Sequence, residues 1–202
     1  MRILELFSGT YSFGKVALEM GYDITGVDIL PCPADLKGKV THHQVSILDF
    51  DYKQYPKGYF TFIWSSPPCE TYSMAGIRHG LRKNCIAVTD KARLHDSFVK
   101  RSNEIIYYLD PEYDATENPR ACLKKQPFMQ DRPVIEVSYC KYGGDRMKPT
   151  NLFGNLPEAF DVRMCHNGNP DHIPSPRGSK HNSDATIPPQ LCREILEAIE
   201  VS

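Results

Sequence analysis

The chain has 202 residues, of which 41% are hydrophobic and 24% charged, and its formal net charge is −1. This ordinary composition and length suit one domain with a hydrophobic core of its own. They exclude a membrane-spanning protein, because no apolar run approaches the roughly 20 residues that a span needs. No signal peptide is recognisable at the N-terminus, so we expect a cytoplasmic protein.

Strand and helix patterns alternate along the first two-thirds of the chain. We predict strands at residues 2–7, 23–29, 59–66 and 113–118, with weaker candidates at 134–139 and 151–154. We predict helices at residues 12–21, 89–109 and 189–200, the first of them closed by Gly21. This alternation predicts an α/β fold with a doubly wound, Rossmann-like, mostly parallel sheet covered by helices on both faces.

Residues 1–202 are expected to form a single domain. Residues 155–186 are rich in proline, glycine, asparagine and histidine, and we expect a short irregular insertion there.

The near-neutral net charge hides a basic segment in the middle of the chain. Residues 78–101 contain seven lysine and arginine residues and two acidic ones. A local excess of positive charge can contact phosphate, and a solvated charged face is an equally good interpretation at this point.

The seven cysteines are scattered and include no CxxC pair. In a chain of this length without a secretion signal, free thiols are more common than a disulfide framework. We therefore expect reduced cysteines at positions 32, 69, 85, 122, 140, 165 and 192.

Polar residues follow the predicted strands at the points where the strands end. Ser8 and Gly9 follow the first strand, Asp28 closes the second, and Cys69 and Glu117 follow two later ones. Ligands of doubly wound sheets bind beyond the carboxyl ends of the strands, so we expect these side chains to converge on one site.

The first of these strand ends has features of a cofactor site. The segment "LFSGTYSFG" (6–14) leads from a strand through a small-residue turn into a helix, whose free N–H groups can bind an anion. Such turns are common and are weak evidence alone. The Asp28 carboxylate can accept both hydroxyls of a ribose. Together they indicate a cofactor that contains adenosine.

Cys69 follows two prolines that stiffen the loop and remove backbone donors. A cysteine at the mouth of a sheet can be a nucleophile with a lowered pKa, although a lone cysteine is more often structural. Glu117 ends a buried strand, where a carboxylate is costly unless it is paired or protonated. A protonated Glu117 can donate a proton to a substrate, and a salt-bridged acid is the structural alternative.

These features, in this order, resemble the cytosine-5 DNA methyltransferases. The segment "ELFSG" is similar to their cofactor motif, "PPCETYS" to their Pro-Cys loop and "ENP" to their Glu-Asn motif. The segment "YGGDRMKPT" (142–150) lies where the family has an Arg-rich motif, and "IPPQLCREI" (187–195) resembles its C-terminal segment. The resemblance covers most of the chain and is greatest to compact, single-domain members from phages and prophages.

The resemblance implies the class I S-adenosylmethionine-dependent methyltransferase fold, with S-adenosylmethionine as cofactor and a flipped cytosine in DNA as substrate. The implied cofactor-binding residues are Phe7, Ser8, Gly9, Asp28, Ile29, Ser46, Ile47 and Pro68. The implied catalytic residues are Cys69, which attacks C6 of cytosine, Glu117, which acts at N3, and Arg146, which steadies the base or Glu117. The implied DNA-binding residues are Ser73, Arg78, Arg82, Lys83, Asn118 and Lys148.

The chain departs from the family pattern at several positions. Tyr11 stands where the family has glycine, Ser46 where it has an acid, and Glu70 where it has glutamine. The interval 155–186 is too short for a target-recognition domain. Either sequence specificity is low, or a separate partner supplies it, or the protein no longer methylates.

Two other functions therefore stand beside an active methyltransferase. One is a catalytically silent relative that binds nucleic acid or a protein partner. The other is an ordinary Rossmann-like nucleotide enzyme, which leaves the order of the Cys loop and "ENP" unexplained.

A metal site is a further alternative for the C-terminal insertion. The segment "CHNGNPDH" (165–172) and a later histidine supply the set Cys165, His166, His172 and His181. Its spacing matches no standard zinc pattern, so we expect a polar loop and no metal.

Overall fold

A computed structural model describes residues 1–174 and 186–202. These residues contain nine strands: β1 Arg2–Leu6, β2 Asp23–Asp28, β3 Thr41–Gln44, β4 Phe62–Ser65, β5 Arg82–Lys83, β6 Ile86–Ala87, β7 Tyr113–Pro119, β8 Val134–Ser138 and β9 Pro149–Phe153. They also contain four α-helices: α1 Ser12–Glu19, α2 Met74–Arg78, α3 Asp90–Leu109 and α4 Pro189–Glu200. None of the helices in the described part of the chain is both long and apolar enough to cross a bilayer.

Seven strands form one sheet in the order β3-β2-β1-β4-β7-β9-β8. The first five of these are parallel to their neighbours, β9 runs antiparallel to β7, and β8 runs antiparallel to β9. The mostly parallel, doubly wound α/β sheet is therefore confirmed. Strand order reverses between β1 and β4, and the crevice at such a reversal is where these folds bind ligands.

Helices cover both faces of the sheet, as its apolar strands require. On one face, α1 and α4 pack through Phe13 and Ile195 against Phe62 and Trp64. On the other face, Ile105 and Leu109 of α3 pack against the inner strands. The central strands are buried on both sides, which explains why residues 62–65 have no polar face to solvent.

The longest predicted elements are confirmed. Helix α3 begins after Thr89, whose hydroxyl accepts a hydrogen bond from the Ala92 N–H at 3.2 Å, as an N-cap residue does. Gly21 follows the last residues of α1 with φ +84°, and its N–H donates to the Leu18 carbonyl. Strand β4 is shorter than predicted.

Three elements were not predicted. Strand β3 is "THHQ", an edge strand without apolar alternation, and its pattern does not distinguish it from a loop. Helix α2 ends at Arg78, where the basic segment begins, and the β5–β6 hairpin lies within that segment; neither stretch has a clear hydrophobic period.

The prediction that all cysteines are reduced is wrong. Cys85 and Cys122 form a disulfide, with their Cα atoms 5.1 Å apart. They are separated by 37 residues, and the fold brings them together because the hairpin after the Cys loop packs on the segment that follows β7. Sequence spacing carries no signal for such a pair.

The insertion is irregular over residues 155–174, and residues 175–185 lie outside the described chain. Its first part packs back on the hydrophobic core and α4: Phe160 stacks on Tyr142, and Arg163 forms an ion pair with Glu194 of α4. This part of the insertion is therefore a covering segment of the same domain.

Candidate active site

A cavity of about 330 Å³ opens at the carboxyl ends of β1 and β2. Six of the eight predicted cofactor residues line it: Phe7, Asp28, Ile29, Ser46, Ile47 and Pro68. Val27, Leu30, Val45, Ser66 and Phe98 complete the lining. The walls are mostly apolar, which suits a flat aromatic ring with a few polar attachments.

Asp28 is the charged residue of this cavity, and its carboxylate is held in place by backbone groups. The Gly9 N–H donates to Oδ2 and the Leu30 N–H donates to Oδ1, each at 2.8 Å. Each oxygen keeps a second lone pair, so the carboxylate can accept two further hydrogen bonds. Gly9 therefore supports the site from below, and neither Gly9 nor Ser8, which is buried, lines the cavity itself.

Tyr11, which stands where the family has glycine, does not line the cavity. Its backbone adopts the left-handed conformation that glycine favours, with φ 59°, and its side chain is fully buried. The ring lies over Gly26, where a Cβ atom would collide with the Tyr11 hydroxyl. The hydroxyl reaches Nδ1 of His42 at 2.6 Å, and neither Tyr11 nor His42 lines the cavity.

Glu5 lies beneath the same turn and was not singled out from the sequence. Its side-chain oxygens accept hydrogen bonds from the Phe13 N–H at 3.3 Å and the Gly14 N–H at 2.9 Å, at the start of α1. Burial raises the pKa of this carboxyl to about 8, while those two hydrogen bonds oppose the change. Glu5 therefore serves the turn structurally and is mostly protonated near neutral pH.

The Pro-Cys loop leaves the end of β4 beside the cavity. Pro68 lines the cavity and Cys69 is its immediate neighbour, half-buried. The Cys69 carbonyl accepts hydrogen bonds from the Tyr72 and Ser73 N–H groups at 3.0 and 2.9 Å, which fixes the turn after the thiol. Ser73 caps α2 by accepting from the Gly76 N–H.

Glu117 lies at the end of β7, the parallel neighbour of β4, and is 6% exposed. The Tyr139 hydroxyl donates to its Oε1 at 2.9 Å. The Lys148 ammonium lies 3.6 Å from the same oxygen and 4.5 Å above the Tyr139 ring. The buried carboxylate is thus paired, which removes much of the cost of its charge.

Cys69 and Glu117 lie on the same edge of the sheet and interact electrostatically. Burial raises the pKa of the Cys69 thiol above its usual value, the charge of Glu117 raises it further, and Lys148 lowers it. The expectation of a lowered pKa for Cys69 is therefore wrong for the protein without ligand, because desolvation outweighs the single nearby cation.

Two predicted DNA contacts are buried. Arg82 is 2% exposed; it donates to Asp96 Oδ1 at 2.6 Å and to the Thr71 carbonyl at 3.0 Å, and it stacks on the Tyr72 ring. Asn118 is fully buried, and its Nδ2 donates to the Pro67 carbonyl at 3.2 Å. Both residues hold the Cys loop in place, and neither presents its polar group to a phosphate at the surface.

Arg146 and Lys148 have different places. Lys148 contacts Glu117, whereas Arg146 lies 3.7 Å from Asp145 and lines a second cavity of about 170 Å³. Tyr139 and Lys148 also line this cavity, so it adjoins Glu117. Of the Arg-rich segment, Lys148 is therefore the residue that touches the Glu117 carboxylate.

The suggested zinc ligands do not come together in the described residues. The Cys165 thiol lies 3.3 Å from Nδ1 of His172, but His166 contacts Asn169, and His181 is outside the described chain. Within residues 1–174 and 186–202, no three potential ligands are grouped so as to hold a metal ion.

Tyr139 is the residue of the site that sequence reasoning missed. It ends the strand predicted at 134–139, so it satisfied the same strand-end criterion that selected Cys69 and Glu117. It was overlooked because a tyrosine at the end of a weak strand is usually taken as a core residue.

A sheet of this order, with a cavity at the carboxyl ends of β1 and β2, is the class I S-adenosylmethionine-dependent methyltransferase fold. Two solved structures share it. One is an E. coli prophage-encoded protein described as a DNA modification methyltransferase, with TM-score 0.56 and 17% identity over 82% of this chain and 52% of that one. The other is the Entamoeba histolytica methyltransferase EhMeth, with TM-score 0.55 and 15% identity over 84% and 57%.

The family follows from a sequence relative. The chain is 33% identical over 178 residues to the "Probable DNA (cytosine-5)-methyltransferase" of Frog virus 3 (isolate Goorha), which covers 82% of this chain and 75% of the relative. No family model matches the chain. The protein belongs to the DNA (cytosine-5)-methyltransferase family, whose members use S-adenosylmethionine. It spans about half the length of the two solved structures.

Proposed function

We propose that this protein transfers a methyl group from S-adenosylmethionine to C5 of cytosine in DNA through a covalent bond between Cys69 and C6. The observation that carries the proposal is the pairing of Cys69 and Glu117 at neighbouring strand ends. The charge of Glu117 acts on the thiol, and the apolar cavity begins one residue away at Pro68.

The residues of the cavity fit an adenosine-containing cofactor. Phe7, Ile29 and Ile47 would enclose the adenine, and Ser46 would face its polar edge. The lone pairs left on Asp28 would accept the ribose hydroxyls. When bound, S-adenosylmethionine would supply a methyl group bonded to a positively charged sulfonium sulfur. After transfer, the remainder of the cofactor is a neutral thioether.

The Cys–Glu pair suits the chemistry of a pyrimidine ring. The Cys69 thiol loses its proton to water, and the resulting thiolate forms a bond to C6 while Glu117 gives a proton to N3, so that the displaced electron pair makes C5 nucleophilic. After C5 is methylated, a water molecule takes the C5 proton, the S–C6 bond breaks, and Cys69 leaves as thiolate while N3 returns its proton to Glu117. The base must leave the duplex to reach this pair.

Exposed cations near the Cys loop would contact the DNA backbone. Arg78 and Lys83 are exposed and have no ion-pair partner among the described residues. The disulfide joins the hairpin that carries Lys83 to the segment that carries Lys124 and Lys125, which are also exposed. This basic surface replaces the predicted contacts of Arg82 and Asn118, and it would bind phosphates without reading sequence.

Sequence choice would then come from elsewhere. The described part of the insertion packs on Tyr142 and α4 and offers no separate recognition domain. Either specificity is low or a separate partner supplies it. Bisulfite sequencing of DNA from cells that express the protein distinguishes the two, because low specificity gives methylation scattered over many sequence contexts.

Two measurements test the proposal. Calorimetric titration should show binding of S-adenosylmethionine. The wild-type protein should form a covalent adduct with DNA that contains 5-fluorocytosine, because fluorine at C5 blocks release of the enzyme. Cys69→Ala should bind the cofactor and form no adduct, while Cys32→Ala, a partly buried thiol outside the site, should behave as wild type. A persistent adduct in Cys69→Ala would show that the nucleophile is misassigned.

A further inference from the structure

The two oxygens of the Glu117 carboxylate have different surroundings. Oε1 accepts the hydrogen bond from the Tyr139 hydroxyl and is the oxygen 3.6 Å from Lys148. Among the described residues, no hydrogen bond to Oε2 is found, and Oε1 is the oxygen nearest to the ammonium group. The carboxylate is therefore asymmetric before any substrate arrives.

Tyr139 is suited to a permanent donor role. Its ring is 4% exposed, and its backbone is fixed by a hydrogen bond from its N–H to the Lys148 carbonyl and by one from the Gly144 N–H to its own carbonyl. Burial and the charge of Glu117 both raise the pKa of the Tyr139 hydroxyl well above its usual value, so the hydroxyl keeps its proton over the physiological pH range.

We propose that Tyr139 is a positioning residue that occupies Oε1 of Glu117, so that Oε2 is the oxygen that exchanges a proton with the target cytosine. This inference rests on the proposed function. A proton on Oε1 would face both a hydrogen-bond donor and an ammonium group, which disfavour it. A proton on Oε2 leaves the hydrogen bond from Tyr139 to Oε1 intact.

The proton then follows one path in each direction. As the Cys69 sulfur bonds to C6, the Oε2 proton passes to N3, and the resulting charge on the carboxylate is stabilised at Oε1 by Tyr139 and Lys148. When the S–C6 bond breaks, the N3 proton returns to Oε2. Tyr139 itself gains and loses nothing, so it acts only through Glu117.

The structure offers a matched control for removal of this hydroxyl. Tyr142 is in the same short segment and fully buried; its hydroxyl donates to the Asp161 carbonyl at 2.7 Å, and the Arg163 guanidinium lies 4.2 Å from its ring centre. It thus shares the burial, the hydrogen bond and the cation above the ring, but it lies outside the site.

The test compares Tyr139→Phe and Tyr142→Phe in single-turnover formation of the 5-fluorocytosine adduct. Tyr139→Phe should slow the rate about tenfold or more, as expected for loss of a hydrogen bond to a charged group, with unchanged affinity for S-adenosylmethionine. Tyr142→Phe should keep the wild-type rate. In a Glu117→Gln background, Tyr139→Phe should not lower the rate of adduct formation further. A residue that acts only through the Glu117 carboxylate has no effect once that carboxylate is gone.

The outcomes separate this inference from the function on which it rests. A wild-type rate in Tyr139→Phe, or full additivity with Glu117→Gln, would refute the role of Tyr139 alone. A wild-type protein that binds S-adenosylmethionine but forms no adduct would refute the cytosine mechanism and this inference with it.

Discussion

We call the part of the site around the cavity at β1 and β2 the cofactor half, and the part around Cys69 and Glu117 at β4 and β7 the transfer half. Each half buries one glutamate, and the two glutamates have different partners. In the cofactor half, Glu5 is 2% exposed, and burial raises its pKa to about 8 although two backbone N–H groups donate hydrogen bonds to it. In the transfer half, Glu117 is 6% exposed and meets Tyr139 and the cation Lys148. The two side chains are similarly buried and differ in their partners, which are backbone N–H groups for Glu5 and a hydroxyl and an ammonium group for Glu117.

The comparison shows that one buried glutamate supports the backbone, whereas the other is placed where it can act on a substrate. Protonated Glu5 can accept hydrogen bonds at the start of α1 without a cation beside it. A neutral group of this kind is compatible with the apolar surroundings of the cofactor cavity. An acid that becomes charged during a reaction needs groups that stabilise its carboxylate form, and Tyr139 and Lys148, which flank β8 and β9, supply them. Mutations that remove each kind of support should therefore act on different properties.

The largest expected effect comes from Glu5. Its pKa is about 8 in the folded protein and 4.5 ordinarily, so the folded state holds an extra proton between these values. The free energy of unfolding should therefore fall as pH rises from about 4.5 through about 8, by at most about 5 kcal/mol. Glu5→Gln should flatten this part of the curve, measured by denaturant unfolding at several pH values. Parallel curves for the two proteins would contradict the assignment.

Close packing in the cofactor half gives the next effect. Gly26→Ala places a Cβ against the buried Tyr11 ring, and such overpacking costs about 1–3 kcal/mol. Thermal unfolding should show a lower Tm for this variant, while Gly168→Ala, with open space around it, should unfold as wild type. An unchanged Tm in Gly26→Ala would mean that Tyr11 packs elsewhere.

Asp28→Asn tests the cofactor cavity directly. It keeps the shape of the side chain but removes the charge and turns one acceptor into a donor, so affinity for S-adenosylmethionine should fall about tenfold or more by calorimetry. Asp35→Asn is the control, because Asp35 is an exposed acid paired with Lys15 away from the cavity. Equal losses in both variants would point to a general charge effect.

The smallest effect tests the electrostatics of the transfer half. Lys148 lowers the pKa of the Cys69 thiol and Glu117 raises it. Lys148→Met should therefore slow alkylation of Cys69 at pH 8 about twofold or more, because less thiolate is present, and Glu117→Gln should accelerate it. Mass spectrometry of the Cys69 peptide gives the rate, with Lys57→Met as an exposed control. Faster alkylation in Lys148→Met, or slower alkylation in Glu117→Gln, would contradict the proposed effects of these two charges on the Cys69 thiol.

The convergence of the main site residues at one edge of the sheet could be predicted from the sequence, because each of them follows the end of a strand. Parallel strands bring their carboxyl ends to one edge, so Asp28, Cys69 and Glu117 could be placed together once the strands were recognised. The apolar runs that form β1 and β4 are strong signals for this reason.

The remainder depends on contacts between distant segments, which leave no local pattern. Arg82 looked like a surface cation, but Asp96 and Tyr72 stabilise it in the interior. Strand β3 is polar because it lies at the edge of the sheet, and Tyr11 is tolerated because Gly26 lies opposite it. Asp96 lies 14 residues from Arg82, and neither the position of β3 in the sheet nor the approach of Gly26 to Tyr11 can be read from the neighbouring sequence.

The covalent link between Cys85 and Cys122 closes a ring of chain that contains all of α3 and Glu117, while Cys69 stays outside it. Dithiothreitol, routinely added to protect a reactive thiol during purification, would open that ring as well. The choice of buffer therefore selects between two covalent forms of the protein. To keep the Cys69 thiol reduced while the Cys85–Cys122 disulfide stays intact, the protein must be purified in a mild thiol–disulfide buffer of fixed ratio.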